Sequence, residues 1–525
     1  EWITPDRLAE PRWRAFDADR PDFNGALAQF AIGLLQTTTK VDSPMAWREL
    51  YRAPPTAEAL RQWFRPVVGA FELDGDGPRF MQDLELVGKD VVLNDLDALL
   101  IEAPGEQTKK NNADHFVKRA QVQAMCPSCS ATALFTLQLN APAGGAGHRT
   151  GLRGGGPLTT LVLAPGDACL WQHLWLNVCE RPAFLAHGGD AKWVEPQRSN
   201  PWLGPVSALQ RDKGEMTQVQ VHPAHLYWAM PRRIRLDTAL PRSGRCDICA
   251  RDSEVLWSRY GTRPHGLNYK GEWSHPLSPS YQTKEGWLPV HPQPGGPGYR
   301  HWLAWVLGVA GAKSSVRPAP IVTRALELPP RTTGGALRLW AFGYDMDNMK
   351  SRCWYDSTLP LFRLADCDRD ARQYVQAEVA RWIEGAGLAG SYLRSAVKDA
   401  WFGADARGDF SHVDASFWSA TEPAFYRLLQ PHIERVRDGV EHPALEVRQS
   451  WHHTLAQTAL RLFDKAFVGA GAVERQNPRR IALAHQQLQK NLHGPKLKQA
   501  LGLPTEAPPG KPARKRGAAR TPEAA

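Results

Sequence analysis

The chain has 525 residues, carries 64 Lys and Arg against 54 Asp and Glu for a net charge of +10, and is 42% hydrophobic. It is too long for one ordinary domain and too apolar for a disordered polymer, so roughly two to four packed domains are expected, and the positive balance points to a polyanionic partner. It lacks an apolar run of about 18 residues, and "EWITPDRLAE" does not resemble a signal peptide, so a soluble, cytoplasmic protein with no membrane partner is expected.

In chain order, "FNGALAQFAIGLLQTT" (23–38) and "PTAEALRQWFRPVVGAF" (55–71) place apolar residues at helical spacing. The runs "LTTLVLAP" (158–165), "WLAWVLGVAG" (302–311) and "LWAFGYD" (339–345) read as strands between Pro and Gly turns, and "HPAH" (222–225) falls in a strand-like segment. Past residue 364 helical spacing takes over, as in Val375, Val379 and Ile383, then Phe425, Leu429 and Ile433, then Ile481, Ala484 and Leu488. Breaks are predicted near 385–390, 403–408, 438–443 and 469–471. The expected fold class is α+β: a large mixed domain over 1–363 with long loops and a zinc site, a C-terminal four-helix bundle over 364–500, and a disordered basic tail over 501–525.

Eight cysteines are too sparse for a disulfide scaffold in a chain this long. Cys126 and Cys129 form C-P-S-C, and Cys246 and Cys249 form C-D-I-C. Two such pairs complete the tetrahedral thiolate shell of a structural Zn²⁺, with no open position for substrate; two unrelated reduced pairs and a redox C-x-x-C are the other readings. Cys169, Cys179, Cys353 and Cys367 read as small residues of the core.

No G-x-x-x-x-G-K-[ST], G-x-S-x-G or H-E-x-x-H occurs. His222 and His225 have no carboxylate at useful spacing. His452 and His453 are adjacent, hence splayed on a helix. The sharper enzymatic alternative is "YDMDNMK", where Asp345 and Asp347 form a D-x-D able to hold Mg²⁺ in a metal-dependent nuclease.

Two loops read as nucleic-acid contacts. "GEQTKKNNADHFVKRAQVQAMC" (105–126) mixes Lys109, Lys110, Lys118 and Arg119 with Asn111, Asn112 and an embedded Phe116: cations for phosphates, amides for base edges and an aromatic ring for stacking. "NAPAGGAGHRTGLRGGGPLTTLV" (140–162) places seven glycines between Ala143 and Gly156, with His148, Arg149 and Arg153. Glycine lets main-chain N–H groups approach a ligand that a side chain would push away. A flexible connector and a solvated loop are the plain alternatives for the two segments.

The run from "NNADHFVKRAQVQAMC" through the glycine stretch, with "FMQD" before it and "WSHPLSPS" and "GYDMDNMKSRCWYD" after it, resembles the CasA family, the large subunits of the type I-E CRISPR surveillance complex called Cascade. The resemblance extends in order from Trp2 and Ile3 to about residue 500. It implies a non-catalytic subunit that reads the PAM of invading double-stranded DNA while a guide CRISPR RNA reads the target by base pairing. Gly144, Gly145, Ala146 and Gly147 would enter the PAM minor groove. Asp347, Asn348 and Met349 would form the wedge that starts the R-loop, with Lys350 and Arg352 tempering the carboxylate. Arg149 and Lys350 would be basic DNA contacts. So would Arg263, chosen over His265 and Lys270 because no lysine stands where the family places its PAM contact. Asn111, Asn112, Phe116, Val117 and Lys118 would meet the guide-RNA handle and neighbouring subunits. The implied partners are the backbone, small and handle-binding subunits and a recruited helicase-nuclease. Arg475, Arg479, Arg480 and Lys490 would give the bundle a strand-binding face.

Overall fold

The computed structural model describes residues 1–86, 91–112, 117–118, 120–145, 147–189, 196–209, 214–311, 315–364, 367–402, 408–439, 444–469 and 477–505. Two compact units divide between Arg372 and Gln373. The fold is mixed α+β, as the sequence patterns predict.

In the first unit, α1 (Pro21–Thr38) is the central post, buried along most of its length. It is followed by α2 (Pro44–Arg52) and α3 (Ala57–Phe64), whose N-termini are capped by Ser43 and Thr56, each accepting a main-chain N–H three residues on. β1 (Val92–Asp95) leads to α4 (Glu106–Lys110), α5 (Pro127–Asn140), β2 (Thr159–Leu163) and α6 (Leu170–Trp175). α1 packs on both α5 and α6. Around Phe30, the rings of Phe71, Phe80, Phe135 and Trp228 lie with centroids 5.6 to 5.8 Å away in edge-on geometry. Such pairs each add about 1 kcal/mol beyond their area burial.

The remaining strands are β3 (Glu215–Met216), β4 (Arg233–Leu236), β5 (Arg242–Arg245), β6 (Asp252–Leu256), β7 (Arg259–Arg263), β8 (Asn268–Tyr269), β9 (Ser280–Thr283), β10 (Gly286–Pro289), β11 (Val316–Arg317), β12 (Leu337–Asp347) and β13 (Lys350–Leu361). They form small sheets of order β1-β7-β4, β10-β9-β11 and β13-β12-β2, and the pairs β3-β8 and β5-β6.

Two strand readings are corrected. In "WLAWVLGVAG", Leu303–Leu307 is helical, because Trp302, Leu303, Trp305 and Val306 are the buried positions and their spacing puts all four on one helical face. "HPAH" enters a short helix, His225–Trp228, with the His225 ring buried against the Arg198 carbonyl and Tyr269. His225 is a core residue; burial pushes its imidazole down to about 4.

The second unit is helical, with long helices Arg369–Trp401, Ser411–Arg437, Ala444–Leu462 and Pro478–Leu492 and a short one, Pro495–Ala500, among the described residues. The predicted break at 385–390 is absent: the first helix runs through Gly385 and Gly390 without interruption. Those glycines serve close packing, since a methyl group at Gly385 would lie 2.3 Å from Leu501 Cδ2, and one at Gly390 would lie 3.1 Å from Phe417. Leu501, at the start of the predicted tail, is therefore part of this core. Buried Glu378 accepts from Arg448 and Arg381, whose charges outweigh the upward push of burial and hold its carboxyl below the usual range.

Candidate nucleic-acid interface

The candidate interface is organised by α5. At its N-terminus stand the four cysteines, whose sulfurs all lie within 4.8 Å of one another, with Cys126 Sγ 3.9 Å from Cys249 Sγ. A Zn–S bond of about 2.3 Å sets a tetrahedral S···S edge of about 3.8 Å, so the quartet has the size of a closed four-thiolate metal site. The second pair hangs on the turn between β5 and β6, where Ala250 takes a positive φ of 54° and Asp247 Oδ2 accepts the N–H groups of Gln123 and Ala124 at 2.7 and 2.8 Å. The Cys126 N–H donates to Cys246 Sγ at 3.3 Å. Hydrogen bonding from Cys129, then from Cys246 and Cys249, draws the Cys126 thiol well below the usual thiol range.

Cys169, Cys179 and Cys367 are buried, as predicted for core residues, and Cys353 is half-buried.

At its other end α5 releases the glycine stretch. Gly144 and Gly145 are exposed, and Gly145 and Gly147 hold φ of 95° and 78°, which a residue with a side chain rarely adopts. The Gly144 N–H donates to the His148 carbonyl at 3.4 Å and the His148 N–H to the Gly145 carbonyl at 3.2 Å, closing a tight loop. The His265 N–H donates to the Gly147 carbonyl at 2.8 Å and pins one side. Farther along, a methyl group on Gly156 would lie 2.7 Å from Tyr344 Cβ and 2.9 Å from Met346 Cε, so the loop returns directly against β12. Ala146 lies outside the described residues.

From there the chain enters β2, laddered to β12 from Thr159 opposite Phe342 to Leu163 opposite Arg338. β12 and β13 continue past this ladder to a two-residue turn, with Asp347 paired to Lys350. At about 3.4 Å per residue, the hairpin projects about 17 Å beyond the first β2 pair. Asn348 and Met349 both have positive φ, 46° and 64°, the requirement of the turn whose twist matches a hairpin. Asp347, Asn348, Met349 and Lys350 are all exposed, and Met349 is 50% accessible.

The D-x-D is pre-empted by an arginine. Asp345 is buried and takes a two-pronged contact from Arg352, Nη2 to Oδ1 at 2.7 Å and Nε to Oδ2 at 3.1 Å, while Arg352 Nη1 lies 3.5 Å from Asp347 Oδ2. A guanidinium between the two carboxylates occupies the place a Mg²⁺ would need.

The other residues singled out by sequence divide. Arg153 does not face solvent: it is 3% exposed and donates to Thr159 Oγ1, Ser278 Oγ and Gln29 Oε1. It ties the glycine stretch to the core. Arg263 is half-buried on β7 opposite Arg233, and both help draw the Glu85 carboxyl below its usual range, against burial and together with hydrogen bonds from Ser207. His265, exposed and held at φ 65°, touches the loop itself. Arg149 is half-buried and Lys270 exposed. In the 105–126 segment Asn111, Asn112 and Lys118 are exposed and Val117 half-buried; Phe116 and Arg119 lie outside the described residues. Buried Asp97 receives the Ala120 N–H and faces Lys109, anchoring this segment. Arg480 caps the first long helix by donating to the Ala400 and Trp401 carbonyls, Arg479 and Lys490 are exposed, and Arg475 lies outside the described residues.

Sequence reasoning missed Arg232. Its Nη2 donates to the Pro142 carbonyl, 90 residues away, and a methyl group at Gly144 would lie 2.8 Å from its Nη1. Burial pushes this guanidinium down to about 10, and burial, then Arg232 and His265, lower the His148 imidazole. Nothing in "PRRIRL" signals a partner so distant in sequence.

Residues 1–462 match the family model of CRISPR-associated protein Cse1. The chain belongs to the Cse1 family. The resemblance to CasA read from sequence is thereby established, and solved structures agree in fold. Thermus thermophilus CasA (Cse1) matches with a TM-score of 0.63 at 15% identity, over 93% of this chain and 95% of that one. Thermobifida fusca Cse1 gives 0.64 at 15% identity, over 96% and 95%. A chain of a CRISPR RNA-guided surveillance complex gives 0.62 at 15%, over 94% of each. No helix among the described residues of this Cse1 chain is long and apolar enough to cross a membrane.

Proposed function

We propose that this chain is the non-catalytic large subunit of a type I-E Cascade, which reads the PAM of invading duplex DNA through Gly144, Gly145, Ala146 and Gly147 and parts the first target base pair with Asp347, Asn348 and Met349. The observation that carries the reading is one sheet presenting both devices: β2, which follows the glycine stretch, is laddered to β12, which carries the hairpin. A minor groove about 6 Å wide admits a backbone with almost no side chains, and it distinguishes A·T from G·C and little more. A tolerant PAM preference follows. Parting a base step costs a few kcal/mol, offset by PAM contacts and the growing heteroduplex. Arg149, Arg263 and Lys350 add positive charge along the DNA path.

In this reading Asn111, Asn112, Phe116, Val117 and Lys118 meet the guide-RNA handle and the backbone and handle-binding subunits. The four cysteines hold a structural Zn²⁺ that fixes the start of α5. The helical unit, as a four-helix bundle, abuts the small subunits, guides the displaced strand and helps recruit the helicase-nuclease.

The test is R-loop formation on guide-matched duplexes with randomised flanks, by the assembled complex with and without this chain. Opening should require the chain and depend on the flank; indifference to either rejects the proposal. Incubation of the purified chain with DNA and Mg²⁺ or Mn²⁺ should give no cleavage, and cleavage abolished by Asp345→Ala would establish the nuclease alternative.

A further inference from the structure

Several partly buried arginines of the first unit answer to a carboxylate. Arg233 pairs with Asp83 at 2.5 Å, Arg324 with Glu180 at 2.8 Å, and Arg20 with both Asp22 and Glu102. Arg153, the most deeply buried, is satisfied by neutral oxygens in the core. Arg232 has neither arrangement. Among the described residues its guanidinium donates only to the Pro142 carbonyl, its buried Nε has no acceptor, and no carboxylate pairs with it.

The surroundings add charge of the same sign. His148 faces Arg232 and His265, and each opposes protonation of the His148 imidazole. Three groups able to be cationic thus gather around one glycine loop. A cation withdrawn from water without a counter-charge is costly, so this gathering is an arrangement for an anion that arrives from outside. Gly144 packs directly against the guanidinium, since a methyl group there would press on Nη1 at 2.8 Å. Arg232 is also held in place: Gln138, near the C-terminus of α5, accepts its N–H at 3.0 Å and donates to its carbonyl at 2.9 Å.

We infer that Arg232, lying against Gly144 and flanked by His148 and His265, is a phosphate seat that takes one backbone phosphate of the duplex whose minor groove the glycine loop enters. This rests on the PAM-reading proposal and adds a contact blind to base identity. A guanidinium fork matches phosphate oxygens, and phosphate contacts fix register while base edges specify. The loop enters the groove at the correct depth because the adjacent backbone is held by a charge beneath it.

The test uses the assembled complex with guide-matched duplexes carrying single neutral methylphosphonates along both strands of the PAM and its first neighbours. With the native subunit, one or two adjacent positions should each weaken binding about tenfold. With Arg232→Gln those positions should cost nothing further, binding should fall about tenfold for every flanking sequence alike, and the salt slope should shrink by about one. Arg232→Lys, which keeps the charge, should restore most of the binding. If Arg232→Gln fails to assemble, the same scan with His148→Gln should show a reduced penalty at the same positions. The inference is overturned if no position is sensitive with the native subunit, or if the pattern is unchanged in the variants. It is also overturned if Arg232→Gln loosens only the guide RNA. Gly145→Asp, run in parallel, separates the two levels: intact PAM-duplex binding there rejects the groove reading itself, whereas lost binding there with an unchanged methylphosphonate pattern in Arg232→Gln rejects the phosphate seat alone.

Discussion

The two ends of α5 are built on opposite principles. At Cys126 the chain is gathered by four sulfurs within 4.8 Å, by an aspartate accepting two main-chain N–H groups, and by a main-chain bond to a thiol. At Asn140 it opens into glycines with positive φ, of which Gly145 has no atom within 4 Å of where a Cβ would stand. One end uses groups that lock and the other groups that leave room. A loop can be shaped by absence only if its root is fixed, and here the root is a helix clamped at its far end.

The largest effect should come from breaking the locked end. Cys246→Ser, or chelation of the proposed Zn²⁺, should remove about one equivalent of metal and lower Tm by on the order of 10 °C, because metal binding in such sites is folding free energy. Metal analysis with a melting curve checks this; well under one equivalent in anaerobically purified native protein rejects the site.

The core of the first unit also has a pH dependence. The buried His225 imidazole is pushed down to about 4 from its ordinary 6.5, so the unfolded chain binds the proton more readily than the folded one. Stability should therefore be full above pH 6.5 and decline as pH falls toward 4, by about 3 kcal/mol from this group. Denaturant titrations at pH 7 and pH 4.5 on the native chain and His225→Gln would reveal it, with the variant's loss the smaller.

On the open side, Gly145→Asp should leave Tm within about 2 °C, since a side chain meets nothing there, while the strained φ and added negative charge weaken PAM-duplex binding about 100-fold. A gel-shift series on the assembled complex reads this directly. The smallest effect belongs to the hairpin tip. Met349→Gly should relieve a positive φ and stabilise the turn by about 1 kcal/mol, yet slow R-loop opening several-fold by removing the exposed thioether side chain. A stopped-flow opening assay showing unchanged rates would remove Met349 from the wedge.

Several parts of this organisation were legible in the linear chain. The C-x-x-C pairs announced a thiolate cluster, because ligand spacing is local even when the pairs are 120 residues apart. The run "LWAFGYD" announced a strand, and α1 declared itself by its period. Other readings failed where local pattern is ambiguous. "WLAWVLGVAG" is apolar throughout, and a short apolar run fits a strand or a buried helix equally until neighbouring elements choose. Gly385 and Gly390 looked like breaks because glycine weakens an isolated helix, but Leu501 and Phe417 need the space they leave.

The sequence by itself determined the composition of the site: which residues lack side chains, which carry charge, and which can hold a metal. The tertiary structure alone decided which charges remain available. Arg153 and Arg149 stand in one loop, yet Thr159, Ser278 and Gln29 draw Arg153 into the core. Arg232 and Arg233 are neighbours, yet strand alternation gives Arg233 to Asp83 and turns Arg232 toward the glycine loop. Asp345 and Asp347 form one motif, yet Arg352 spans both. The partner of a charge is set by distance in space: apart from Arg352 with its two aspartates and Arg153 with Thr159, each of these pairings closes across 90 or more residues of chain.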